Sequence, residues 1–512
     1  MPSSKAVAAG CLVGVALMAA AACRPAEAEA MPPALGRHVL AEVQEQLYLR
    51  VDPGIRLALV EAYLALDDVP GAAQAAEAIA TPELRYQAYK AIGVALAGNG
   101  HLDAARAYAD KLEGDRWQGG VVLAIASWQA RHGDAAAAAQ TLADRSSEVY
   151  GNLRTPSSKS AHIARELAIG GHFAKAHQVL EAVEPFERAS ALDDIARAEH
   201  AAGRTAQALR TLRAALDSAK SEPYGIGRRV LLNSIATALI EIGAPAEARV
   251  VLLALRTEYA SGPSWEKPAR DLFEVALLES QSGDGRAADE TLRMVADRVA
   301  ADGTPQECPA PIQRLAHYYA YLGEYDAAQS LAARAPSERW REVVLVEIVG
   351  AKALTKDVGG ARRLAESLKD DSTRSAAYAA MAEAAALNGE DASAFALIDR
   401  VEGRARLHWM LTVPRRTYPL RAVAAIAAYD GRLATALHAV DALDDGEEQD
   451  IARAEIAEIL ASRGDFEGAV ALAHKIDDRN RRLATLTRLV IRGGAGAPLR
   501  PDQPSSQCFD FF

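Results

Sequence analysis

One short pattern recurs along this chain at intervals of 32 to 42 residues. Its clearest copy, Ile92 to Tyr108, reads IGVALAGNGHLDAARAY. Counting from a turn residue, the pattern has an apolar residue at position −8 and alanine at position +5. The turn residues are Asp67, Gly100, Gly133, Gly171, Gly203, Gly243, Gly283, Gly323, Lys356, Gly389, Gly431 and Gly464. Ten of these twelve are glycine, and position +5 is alanine in all twelve, so the fold must repeat one local structure.

The pattern predicts a helical hairpin. Glycine adopts the left-handed conformation that ends a helix without a steric penalty. The apolar residue two turns earlier faces the partner helix, and alanine lets two helices cross closely. Two short helices cannot bury their shared face alone, so neighbouring hairpins must stack.

The copies resemble the tetratricopeptide (TPR) family, whose helix–turn–helix unit has about 34 residues. Ile92-Gly93 matches the family's Leu-Gly pair, Gly100 its turn glycine, and Ala105 its helix-crossing alanine. The family's early Trp and closing Pro are mostly missing, and its first-helix Tyr remains only at Tyr63 and Tyr319. The resemblance covers roughly residues 52 to 490 and implies an all-α, right-handed α-solenoid of about 12 hairpins. A generic solenoid of the HEAT kind is the structural alternative.

The expected layout has five parts. Residues 1–30 form a signal peptide, residues 31–51 an N-terminal capping helix, and residues 52–478 the repeat solenoid. Residues 479–492 form a C-terminal capping helix. The tail at 493–512 contains Pro and Ser and is predicted to be disordered.

The N-terminus is typical of an exported protein. Lys5 precedes an uncharged run from Ala6 to Cys23, whose 18 residues are borderline for a membrane span. Cleavage after Ala28 or Ala30 gives a soluble exported protein, acylation of Cys23 gives a lipoprotein, and an uncleaved anchor is the third alternative. The first two place the chain in the periplasm or envelope of a presumed Gram-negative bacterium. Whether Cys308 and Cys508 pair is open.

Charge and motifs restrict the function. The net charge of −11 argues against nucleic-acid binding, which needs a basic surface. The sequence lacks HExxH, GxSxG, Walker and CxxC motifs. We therefore predict no enzyme activity, no cofactor and no metal, and membrane contact only through a lipid anchor.

The TPR resemblance implies that the first helix of each hairpin lines a groove that holds a peptide. In the central repeats these positions carry Arg165, Asp193, Arg197, His200, Asn233, Arg270, Gln281, Gln313, His317 and Tyr321. Such side chains suit hydrogen bonding to an extended backbone or a carboxylate. The alternative is a surface that is merely solvated.

Three other features have two interpretations each. Arginine recurs at position −15, either as an anion-binding ladder or as a junction between repeats: Arg85, Arg188, Arg228, Arg341, Arg374 and Arg416. The longer repeats carry inserts, at residues 146–159, 218–229, 257–270, 299–312 and 402–419, that form either binding loops or extended helix ends. Phe509, Phe511 and Phe512 in the tail either dock onto a partner or fold back onto the protein.

The sequence therefore predicts an exported scaffold or adaptor that binds a protein or peptide in the bacterial envelope. One alternative is a structural component of an envelope assembly. The other is an enzyme of unrecognised type that acts on cell-wall or glycan substrates.

Overall fold

The computed structural model describes residues 30–47, 52–112, 115–143, 153, 155–221, 225–261, 269–301, 316, 319–320, 323–333, 338–408, 411–414 and 416–494. Residues 1–29 of the predicted signal peptide and residues 495–512 of the predicted tail lie outside these residues, whereas Gly493 and Gly494, predicted to begin the tail, belong to the last helix. So do several residues singled out from the sequence: Cys23, Cys308, Cys508, Gln313, His317, Tyr321, Phe509, Phe511 and Phe512.

The described residues form 25 helices and one pair of short strands. The first helices in chain order are α1 (Pro33–Gln46), α2 (Pro53–Ala65), α3 (Val69–Glu77), α4 (Pro82–Gly98), α5 (Leu102–Asp110), α6 (Asp115–Arg131), α7 (Ala135–Ala143), α8 (Pro156–Ile169), α9 (Phe173–Leu180), α10 (Pro185–Ala201), α11 (Thr205–Lys220), α12 (Ile226–Glu241), α13 (Pro245–Ser261), α14 (Ala269–Gln281) and α15 (Gly285–Ala301). The remaining helices are α16 (Tyr325–Ala333), α17 (Glu338–Leu354), α18 (Val358–Ser367), α19 (Asp371–Leu387), α20 (Asp391–Ile398), α21 (Thr417–Tyr429), α22 (Leu433–Asp441), α23 (Gly446–Ser462), α24 (Phe466–Ala473) and α25 (Arg479–Gly494).

The helical repeat fold is confirmed, with one local difference. Strands β1 (Arg404–His408) and β2 (Leu411–Pro414) pair antiparallel, with Ala405 opposite Val413. They occupy one of the inserts, for which only a loop or an extended helix was considered. Three other inserts begin as extended helix ends, because α11, α13 and α15 have 16 or 17 residues.

The turn residues have the backbone conformation that the pattern predicts. All twelve have a positive φ, between 59° and 86°. Asp67 and Lys356, the two that are not glycine, are also the only non-glycine residues with positive φ in the described chain. The alignment therefore located left-handed residues even where the glycine signal was missing.

The helix crossings are as tight as the alanines predict. All twelve alanines at position +5 are buried, with at most 2% of their surface exposed. The apolar residues at position −8 that the structure describes are at most 4% exposed, as Ile163 is. Burying each of these large side chains contributes about 1.5–3 kcal/mol, which the close helix crossing makes possible.

The chain divides into two compact units. The continuous unit is Ala73–Arg298, and the discontinuous unit combines Met1–Ala72 with Val299–Phe512. Within the discontinuous unit, α25 packs against both α1 and α2. The backbone N–H of Met31 donates to the Gly493 carbonyl oxygen at 2.9 Å, and the Arg479 guanidinium donates to the Gln46 carbonyl oxygen.

This packing joins the two helices that the sequence placed at opposite ends of the solenoid. A Cβ atom on Gly493 would lie 2.4 Å from the Met31 Cβ, so the backbones approach too closely for any other residue. A Cβ atom on Gly494 would likewise lie 2.4 Å from the Ala65 carbonyl oxygen. The last helix is therefore packed against the first two.

Replacing Lys356 with glycine should stabilise the protein. Lys356 is exposed and has φ of 68°. A left-handed conformation costs an L-residue about 1–2 kcal/mol, and glycine avoids this cost. Ordering a glycine costs more backbone entropy, which offsets about half of the gain. We expect Lys356→Gly to raise the free energy of unfolding by about 0.5–1 kcal/mol in urea denaturation. Gly389→Ala, at the next turn, is the opposite control and should lose about 1 kcal/mol. A lower stability for Lys356→Gly would contradict this assignment.

Candidate functional site

The structure brings four of the predicted groove residues together in the continuous unit. Arg165 lies on α8, Asp193 and Arg197 lie on α10, and Asn233 lies on α12. These are first helices of successive hairpins, and they pack side by side. His200 does not join them, because its Nδ1 lies 3.2 Å from Thr205 Oγ1 at the start of α11.

Gln281 and Arg270 contribute less to this cluster. Both residues are on α14. Gln281 is exposed at the C-terminal end of this helix, and the side chain of Arg270 lies outside the described part of the structure. Gln313, His317 and Tyr321 lie outside the described residues. The described part of the predicted groove is therefore centred on α8, α10 and α12.

The α6–α8 contact is one ion pair and one hydrogen bond. Arg131 Nε lies 2.5 Å from Glu166 Oε2, and Ser127 Oγ lies 3.0 Å from His162 Nε2. Burial lowers the pKa of His162, against the opposing effect of Glu166. The imidazole is therefore neutral at physiological pH and bonds to the serine hydroxyl.

Arg165 joins α8 to α10. Its Nε lies 2.6 Å from Asp194 Oδ2, close enough for an ion pair although that N–H makes no aligned hydrogen bond. Its Nη2 donates to Ser190 Oγ at 2.8 Å. The Arg165 guanidinium thus contacts two side chains of α10, the first helix of the next hairpin.

Arg197 joins α10 to α12 in the same way. Its Nη2 donates to the Ser234 carbonyl oxygen at 3.1 Å, and its Nη1 pairs with Glu241. Ser234 Oγ in turn donates to Asp193 Oδ2 at 2.5 Å. Arg165 and Arg197, which were predicted to bind an extended backbone or a carboxylate of a partner, therefore already have acceptors within the protein.

Two buried acceptors on these helices remain without a hydrogen bond. Asp193 is 5% exposed, and its Oδ1 makes no hydrogen bond, the nearest cationic atom being Arg197 Nε at 3.7 Å. Asn233 Oδ1 is also buried and makes none. Burial raises the pKa of Asp193, with the Ser234 hydrogen bond and Arg197 opposing it. An unsatisfied buried polar group costs about 1–3 kcal/mol, so a donor that reaches either atom would be favoured.

Exposed apolar side chains border these polar groups. Phe186 on α10 is 41% exposed, and Ile226 and Val230 on α12 are 69% and 61% exposed. A Cβ atom on Gly227 would lie 3.0 Å from Phe186 Cε2, so the Phe186 ring lies against α12 beside Ile226. We call the surface formed by Phe186, Ser190, Asp193, Asp194, Arg197, Ile226, Val230, Asn233, Ser234 and Glu241 the first-helix face.

Sequence reasoning missed a recurring bond inside hairpins. Thr211 Oγ1 donates to Glu199 Oε2 at 2.7 Å, and Glu199 is fully buried. The same bond joins Thr141 to Gln129 at 2.8 Å and Thr291 to Glu279 at 2.6 Å. A signal was present, since threonine occurs at position +8 only where position −4 is Glu or Gln. These bonds hold the two helices of a hairpin together, so the acids act in folding.

Three of the six arginines at position −15 contact the linker from the preceding hairpin. Arg85, Arg188 and Arg374 donate to backbone carbonyl oxygens of the preceding linker, those of Ile79, Val183 and Leu368. Arg228 instead lies 2.8 Å from Glu258 Oε1, and Arg416 pairs with Asp444. These contacts favour the junction interpretation over the anion-binding ladder, with carbonyl oxygens as the main acceptors.

A second unusual group lies in the discontinuous unit. Glu383 on α19 is half-buried as a residue, but burial of its carboxyl group raises its pKa to about 7, and Glu347 on α17 adds to the effect. Neighbouring first-helix positions are apolar, as Val346 and Ala379 are. Glu383 is at position −6 of its repeat, as Arg165 and Arg197 are in theirs. Comparing the residues at that position would therefore have identified Glu383 from the sequence. Among the described residues no three His, Cys, Asp or Glu side chains are grouped to hold a metal ion.

Glu383→Gln should change how stability depends on pH. The pKa of Glu383 is raised on folding, so between about 4.5 and 7 the folded protein keeps a proton that the unfolded chain releases. Stability contributed by the neutral acid is therefore lost as pH rises through this range. We expect the variant to match the unmodified protein at about pH 4 and to be about 1–3 kcal/mol more stable at about pH 8, by urea denaturation. Glu467→Gln, at an exposed position of α24, is the control and should show no such gain.

No helix among the described residues is both long and apolar enough to cross a membrane.

No protein-family model matches the chain, and no curated protein is similar to it in sequence. Two solved structures show weak likeness. Ton1535 from Thermococcus onnurineus NA1 is 15% identical, with 70% of this chain and 96% of that chain covered and a TM-score of 0.22. A circular tandem repeat protein with novel repeat topology is 14% identical, with 90% and 97% covered and a TM-score of 0.15. The fold therefore rests on the helices described above.

Proposed function

We propose that this protein is an exported scaffold or adaptor that binds a segment of another protein through the first-helix face. The observation that carries the proposal is the combination on α10 and α12. Large apolar side chains are exposed there beside buried acceptors that make no hydrogen bond. Isolated apolar residues are common on protein surfaces, but contiguous ones next to unsatisfied polar groups mark interaction sites. Helical repeat folds are typical of such scaffolds.

We propose that the protein is located in the bacterial envelope. This location is supported by the predicted leader at residues 1–30, directly after which Met31 is buried against the body of the protein with 2% of its surface exposed. Both proposed cleavage positions precede Met31, so processing leaves the packing of α1 and α25 unchanged.

Fractionation distinguishes the two export routes. If Cys23 is acylated, the full chain should sediment with membranes and Cys23→Ala should move to the soluble periplasmic fraction. If the signal is removed after Ala28 or Ala30, both should be soluble in the periplasm. Recovery of the full chain in the cytoplasm would contradict export.

A second candidate function is assembly through the opposite helices. Val250 and Leu253 on α13, a second helix of its hairpin, are 67% and 53% exposed. An apolar patch of this kind suits the constitutive contacts of a structural component of an envelope complex.

Photo-crosslinking distinguishes these two functions. We would place benzoylphenylalanine at Ile226 on α12 or at Val250 on α13 in the full chain, since both side chains are exposed to a similar degree. A scaffold that uses the first-helix face should give a crosslinked partner from position 226 and none from position 250. Crosslinks from position 250 alone would favour the assembly component and contradict the proposal.

A further inference from the structure

We propose that the first-helix face accepts an extended segment of a partner protein that presents a basic side chain close to a large apolar one. This inference rests on the proposed function and specifies the chemistry of the partner. The sequence predicts hydrogen bonding to an extended backbone or a carboxylate, and the inference replaces the partner carboxylate with a cation.

The first argument is the charge that remains after internal pairing. Arg131 on α6, Arg165 on α8 and Arg197 on α10 each have a carboxylate partner on the first helix of the next hairpin. Asp193 adds a further carboxylate to the three partner acids. Asp194 and Glu241 are about half-exposed, with 52% and 53% of their side-chain surface accessible. Arg165 and Arg197 are less accessible, at 29% and 33%, so a ligand meets more negative than positive charge at these two pairs, which favours a cation over a carboxylate.

The second argument is the kind of atom that lacks a partner. Asp193 Oδ1 can accept a hydrogen bond and, when ionised, cannot donate one. The Asn233 amide beside Ser234 can accept through Oδ1. A guanidinium or ammonium group supplies several donors and a positive charge together, and bonds to ionised acceptors are about twice as strong as neutral ones. A carboxylate from a partner would have to compete with Asp194 for Arg165 and with Glu241 for Arg197.

The third argument is the distance between the apolar and polar parts. Ile226 and Val230 are four residues apart and lie on one stripe of α12, and Asn233 follows within the next turn. From Ile226 to Asn233 is seven residues, about 10 Å along a helix. An extended chain covers about 3.3 Å per residue, so the apolar and basic side chains of the ligand should be about three positions apart.

The test uses the full chain and three labelled peptides. Each is a short Gly/Ser sequence with Leu and, three positions later, Arg, Glu or Gln, and binding is followed by fluorescence anisotropy. We expect the Arg peptide to bind at least about tenfold more tightly than the Glu peptide, a difference of about 1.4 kcal/mol. Added salt should reduce this preference.

Matched variants locate the binding. Ile226→Ser should weaken Arg-peptide binding several-fold, and Val250→Ser, equally exposed on α13, should leave it unchanged. Asp194→Asn removes an accessible negative charge and frees Arg165, so it should narrow the preference for Arg over Glu. Circular dichroism checks that each variant remains folded.

The possible outcomes separate this inference from the proposed function. Preference for the Arg peptide that is lost in Ile226→Ser supports both. If the Glu peptide binds equally or more tightly, and Ile226→Ser weakens that binding, the inferred basic side chain of the partner is wrong and the proposed function still holds. Binding of no peptide, with a partner still crosslinked from position 226, overturns the inference alone. Binding of no peptide and no crosslink from position 226 overturns both.

Discussion

The alanine at position +5 is the constraint on which the other features depend. Its methyl group lies between two crossing helices with at most 2% of its surface exposed in every copy. A larger side chain there would force the helices apart at a cost of about 1–3 kcal/mol. The close crossing sets the spacing of the two helices within each hairpin. The first helices of successive hairpins lie side by side, and Arg165 contacts both Ser190 and Asp194 across that junction.

Internal pairing then decides what the face offers to other molecules. The charged groups between α6 and α12 satisfy one another in a chain of ion pairs, which stabilises the stacking of hairpins and neutralises the arginines. Partly buried pairs of this kind cost desolvation, so they add more to the register of the helices than to stability. The acceptors left over at Asp193 and Asn233 set the polarity of the surface.

The repeat frame was predictable because it depends on local physics. Helix-ending glycines and close-packing alanines act within one hairpin, so aligning the copies located the left-handed conformation even at Asp67 and Lys356. Pairing between hairpins was not predictable, since Arg197 and Glu241 are 44 residues apart and whether they meet depends on how their two helices are rotated. For the same reason the contact of α25 with α1 and the burial of Glu383 left no clear sequence signal.

Amide hydrogen exchange of the full chain, with and without the Arg-bearing peptide at saturation, tests most directly whether function lies on the first-helix face. Binding should slow exchange in the first two turns of α10 and α12, around Phe186, Ile226 and Val230, because a bound ligand suppresses local opening. Exchange in α13, which carries Val250, should not change. Slower exchange in α13 alone, or unchanged exchange in α10 and α12, would contradict the assignment of the binding surface.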